Sequence, residues 1–221
     1  MTSPPISTLS SEPALSLRRV WPLGSAMIVL AALWGGPLPR LAQVSFTAHM
    51  ALHLALIGIA APLAALGLAR AGARGTPPGG WVLWGVLFAG FEMMVVWGWH
   101  VPALHEAAAL VPWIFAAQQA SFLLAGLFVW LPGFAASGQA SAGAATVALA
   151  LSFMHMSMLG VLLTTAPGLL YPAGLCGGAF GLDPLTDQRL GGVMMAVFGG
   201  LPYLAGAVAF AHRLLTEGPG R

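Results

Sequence analysis

The stretch His49-Met50-Ala51-Leu52-His53 concentrates chemistry in a chain that has little of it elsewhere. On a helix, a spacing of four residues puts both imidazoles on one face, a turn apart, where they can share a metal ion. Further groups of the same kind follow. Glu92 precedes Met93 and Met94, His100 stands in Trp-His-Val-Pro, and Met154-His155-Met156-Ser157-Met158 sets Met154, His155 and Met158 along one face. Imidazoles with soft thioethers suit copper, Cu(I) above all, better than magnesium or calcium. Zinc would call for thiolate or carboxylate ligands. The single cysteine, Cys176, excludes a zinc-cysteine site and an intramolecular disulfide.

Each of these residues also has a structural reading. A membrane histidine often only hydrogen-bonds between helices, methionine packs adaptably in cores, and Glu92 can simply be paired with one of the histidines. His105, His212 and Cys176 look interfacial and are assigned no role. Trp81, Trp97, Trp99, Trp113 and Trp130 fall near segment ends, as an aromatic belt does.

The elements that must position these groups follow from composition. Of 221 residues, 58% are hydrophobic and only 6% charged, and the mean hydropathy is +0.87. A soluble domain carries roughly 25% charged residues. The apolar residues come in long blocks without the alternation of a membrane β-barrel, and lipid offers the backbone no hydrogen-bond partners, so the blocks must be helical. The expectation is an all-α, polytopic integral membrane helical bundle with about six transmembrane helices in the lipid bilayer. The spans read as about Val20–Gly36, Gln43–Ala69, Trp81–Trp99, Trp113–Leu131, Ala142–Thr165 and Leu190–His212. Residues 1–17 read as a disordered N-terminal tail, 18–213 as the bundle and 214–221 as a short C-terminal tail. The linker His100–Pro112 contains a short interfacial helix, Pro132–Gln139 is an exit turn, and Ala166–Arg189 is a long loop.

With six spans, Arg18, Arg19, Arg70, Arg74, Arg213 and Arg221 share one side, and only Arg40 and Arg189 lie on the other. The positive-inside rule then places both termini in the cytoplasm. At 1.5 Å per residue, His53, Glu92 and His155 lie roughly 10–15 Å below the outer surface, with His49 and His100 shallower. Ionisable groups are costly in hydrocarbon, so such a layer marks a functional site. The eight basic residues, all arginine, form no cluster of the kind nucleic-acid binding needs. No nucleophile-base set and no phosphate-binding glycine loop is present, which argues against an enzyme.

At His-Met-Ala-Leu-His-Leu-Ala-Leu-Ile-Gly-Ile-Ala-Ala-Pro-Leu the chain resembles the CtaG family of cytochrome c oxidase assembly factors. Matching stretches follow in the family's order: WHVPALHEAA with SFLLAGLFVW after it, then LLTTAPGLLYP, then GLDPLTDQRLGGVMM, together spanning about residues 46–203. The resemblance carries over His49, Met50, His53, His100 and the pair Asp187–Gln188. It implies a multi-pass protein of the bacterial inner (plasma) membrane that matures the haem-copper oxidase by handling copper, with oxidase subunits as partners. A homo-oligomer is left open. The chain departs from the family in its count of six spans, where members often have seven. It also has Phe115 and Gln119 where many members carry histidines. Two other classes compete: a haem b electron carrier ligated across helices by a pair such as His53 and His155, and a proton or solute transporter built on Glu92. The lack of an internal repeat weighs against the transporter.

Overall fold

Prolines mark where several helices begin. Pro102, Pro112 and Pro184 each occupy the first helical position, where a backbone N–H would have no intrahelical partner and the fixed φ already suits the helix. The computed structural model describes residues 17–72, 80–176 and 179–216, and within them every regular element is helical. In chain order these are α1 (Leu17–Gly35), the short α2 (Leu38–Leu41), α3 (Phe46–Ala71), α4 (Gly80–Trp99), α5 (Pro102–Leu110), α6 (Pro112–Ala135), α7 (Gln139–Thr165), a 3-10 turn at Ala173–Leu175, and α8 (Pro184–Thr216).

Five of these, α3, α4, α6, α7 and α8, are long and apolar enough to cross a membrane. Of the six expected spans, the first is the exception: the apolar stretch of α1, Arg19–Gly35, is shorter. The 19 residues of α1 rise roughly 28 Å, close to the ~30 Å of hydrocarbon. α1 lies antiparallel along α3, with Leu23 against Gly67 and Leu33 clustered with Leu52 and Leu56. Arg70 sits with its guanidinium 5.3 Å above the Trp21 ring.

Several boundaries move from the sequence-based expectation. α6 runs on to Ala135, so the turn before α7 shrinks to residues 136–138. The long loop ends early, because α8 starts at Pro184 behind an Asp183 cap that accepts from the amides of Leu185 (3.2 Å) and Thr186 (3.1 Å). Asp187 and Gln188 therefore lie in a helix. α8 also continues through residues 214–216. The expected tails at 1–16 and 217–221, with Arg221, and the loop at 73–79, with Arg74, lie outside the described residues.

α3 and α8 each contain one wide π turn, at Leu56–Ala60 and Met195–Gly199. Each is followed within three residues by a proline, Pro62 or Pro202, whose ring clashes with the carbonyl four residues back and supplies no N–H; the wide turn accommodates both defects. Trp130, expected in an interfacial belt, is buried instead. It stacks on Tyr203 with ring centroids 5.8 Å apart and donates its indole N–H to the Ile57 carbonyl at 3.2 Å, inside the first wide turn. Trp81 is likewise buried, whereas Trp113 is 72% exposed. α7 and α8 meet backbone to backbone at Gly160 and Gly192, where an added methyl would run into main-chain atoms of the facing helix. Small residues of this kind are what lets membrane helices approach closely.

Candidate metal centre

α3 supplies His49 and His53 from its first turns, with ring centroids 6.3 Å apart. His100, in the turn that closes α4, brings its ring to 6.0 Å from His49 and 5.7 Å from His53. All three are buried, and one ring nitrogen from each falls in a group whose members lie within 4.8 Å of one another. His100 Nδ1 sits 2.6 Å from the Val96 carbonyl; donating there fixes the tautomer and leaves Nε2 with a free lone pair. Nε2 of His100, Nε2 of His49 and both nitrogens of His53 have no hydrogen-bond partner. The His53 ring is held by face-to-face packing on Phe122, 4.0 Å between centroids. A buried polar atom without a partner costs of order 1–3 kcal/mol, and here several converge on one point.

Around this trio lies a tight shell. His105, on α5, is only 3% exposed rather than interfacial, and its ring stands 4.8 Å from His49 and 4.4 Å from Tyr171. Its Nδ1 is buried without a partner. The Tyr171 hydroxyl donates to the His100 carbonyl at 3.0 Å, and its ring stacks on Phe46. Burial holds His100 down at about 4, against the opposing hydrogen bond to Val96. Burial, with His100 second, holds His105 at about 3. Both rings are therefore neutral near pH 7, the form that ligates metals. Cys176 is buried nearby in the chain, and burial, followed by Asp187, pushes its thiol up to about 12, far from a thiolate ligand.

The start of α3 is held from across the bundle. Asp187 accepts from the Ser45 hydroxyl at 2.9 Å, the Phe46 amide at 2.6 Å and the Thr47 amide at 3.2 Å, while Thr47 donates its hydroxyl to the Asp187 carbonyl at 3.0 Å. A carboxylate at a helix N-terminus satisfies orphan amides and complements the dipole. Gln188 accepts from the Leu170 amide at 2.7 Å and donates to the Gly168 carbonyl at 3.2 Å. The pair thus ties the 166–171 segment and the histidine helix to α8.

Glu92, His155 and their neighbours form a second layer. Glu92 is fully buried and accepts hydrogen bonds from the hydroxyls of Ser152 and Tyr203. His155 Nε2 lies 3.5 Å from Glu92 Oε2, an ion-pair distance too long for a good hydrogen bond, and neither ring nitrogen of His155 is hydrogen-bonded. Met50 is fully buried and packs against Gly191 of α8. Met154 and Met158 are 63% and 52% exposed, so they face outward and not toward the three clustered histidines, whereas His155 is buried. Phe115 and Gln119 line a groove of about 310 Å³ beside Trp34. Gln118 and Gln119 are buried one turn before Phe122, with Gln118 Nε2 and Gln119 Oε1 unpartnered.

A bundle of membrane-spanning helices that gathers buried imidazoles at one end defines a polytopic membrane protein with a candidate soft-metal site. The chain belongs to the Caa3_CtaG family, cytochrome c oxidase caa3 assembly factor, which it matches over residues 8–217. No curated protein and no solved structure matches it.

Proposed function

We propose that this protein is a membrane assembly factor for haem-copper cytochrome c oxidase that takes up Cu(I) at His49, His53 and His100 and passes it to an oxidase subunit. The family match supports the assembly role. The convergence of three buried, unpartnered imidazoles within 4.8 Å carries the copper reading. Neutral nitrogen ligands suit Cu(I), while hard oxygen-seeking cations would want carboxylates. Three ligands leave a position open for an incoming donor, which a carrier needs if its cargo is to leave. The assembly-factor family fits a role in binding and transfer rather than turnover.

The arginine distribution supports an inner-membrane orientation with both termini in the cytoplasm, which sets the histidine end toward the periplasm. Purified protein is expected to bind copper, and His49→Ala with His53→Ala to abolish binding. Unchanged copper stoichiometry in that double variant would overturn the site. Deletion of the gene should remove oxidase activity, and excess copper should restore part of it.

A further inference from the structure

Resting on the copper-handling reading, we infer that the protein has a second Cu(I) position, separate from the three-histidine cluster, in the membrane-facing groove formed by His155, Met93, Met154 and Met158. These four residues line a groove of about 500 Å³ between α4 and α7, together with small or aliphatic neighbours such as Ala89 and Gly90. The three methionines are 40%, 63% and 52% exposed on a face that would meet lipid. Lipid-facing positions need only bulk hydrocarbon, which leucine supplies equally well. Three thioethers beside the imidazole that lines the groove give it the ligand chemistry of a soft monovalent ion.

His155 is the feature that ordinary packing does not explain. It is 4% exposed and lines the groove, yet Nδ1 and Nε2 both lack hydrogen bonds. Behind it, Glu92 Oε2 stands 3.5 Å from Nε2 and is itself held by Ser152 and Tyr203. Closing that 3.5 Å gap into a hydrogen bond would orient the imidazole and raise the basicity of Nδ1, the arrangement seen behind metal-ligating histidines. The Glu92 carboxyl also offsets the single charge of Cu(I) in a region where an uncompensated ion is costly. His53 of the buried cluster lies within electrostatic range of His155. Movement between them is ligand exchange: one Cu–N bond to the cluster breaks as one to His155 forms, with no change of oxidation state. An ion at the groove is presented sideways into the bilayer, to a membrane-embedded acceptor rather than to water.

The test uses the full-length protein in detergent, loaded with Cu(I) under reducing conditions and titrated against a chromophoric Cu(I) chelator, with X-ray absorption at the copper edge. The wild type should hold a further equivalent of Cu(I) beyond the histidine cluster's, with sulfur scattering in the spectrum. Met93→Leu, Met154→Leu and Met158→Leu together, conservative changes on an exposed face, should remove that equivalent and the sulfur signal. His49→Ala, His53→Ala and His100→Ala together should leave the sulfur-ligated equivalent in place. A methionine variant that keeps the full stoichiometry, or a wild type without sulfur scattering, overturns the groove site and leaves the histidine cluster standing. A wild type that binds no copper at all overturns both.

Discussion

At Asp187 one carboxylate accepts from Ser45, Phe46 and Thr47 at the head of the helix that carries His49 and His53. Asp187→Ala strands two backbone amides and a hydroxyl in a buried setting, and should destabilise the protein by about 3 kcal/mol; a smaller loss is expected for Asp187→Asn, which keeps an acceptor oxygen. Thermal unfolding in detergent measures both, and an unshifted midpoint in Asp187→Ala would show the contacts to be dispensable. His100 and His105 titrate at about 4 and about 3 in the fold, against 6.5 for an ordinary imidazole, chiefly because they are buried. Between those values the unfolded chain holds more protons, so the metal-free protein should lose stability as pH falls below about 6.5 toward 4 and have the full contribution above it. A midpoint at pH 5 equal to that at pH 7.5 would contradict this. At this scale the sequence was partly legible. The four-residue spacing announced His49 and His53, and span-end placement brought His100 to them. His105 escaped because Leu-His-Glu-Ala-Ala-Ala-Leu reads as an amphipathic interfacial helix, and its burial comes from tertiary packing on Phe46, His49 and Tyr171.

Helices α7 and α8 touch through main-chain atoms at Gly160 and Gly192. Gly160→Val should force them apart at a cost of about 2 kcal/mol or more, whereas Gly24→Ala, where an added methyl meets nothing within 4 Å, should be near neutral. Comparing the two unfolding midpoints checks the interface; equal values would remove it as a source of stability. Helix type and five of the six expected spans were readable from apolar blocks, and Asp183-Pro184 was a start signal that would have placed α8 correctly. The inward face was not readable. In a bilayer both the core and the lipid side are apolar, so hydrophobic periodicity no longer separates them, and Met154 and Met158, expected beside the copper-binding histidines, are exposed instead. Trp130 shows the same ambiguity: a tryptophan near a span end suits a belt, yet a wide turn in α3 offered its N–H a carbonyl.

For the whole molecule, the excess of arginine on one side predicts that a C-terminal reporter which folds only in the cytoplasm will be active, and that one requiring export will be silent; the reverse pattern would invert the bundle. The six expected segments are all helical, with α1 at the margin of span length. The three clustered imidazoles are 2%, 0% and 6% exposed, beneath a cover formed by α5, Tyr171 and the segment that Gln188 ties down. If the cluster takes up copper as proposed, side chains packed this tightly would prevent it from loading on collision. Arrival of an ion would then wait for the cover to part, and capture would run at the pace of a hinge, nearly independent of copper concentration once that pace is reached. For a carrier, slow exchange of this kind would keep cargo from leaking back into water between donor and recipient.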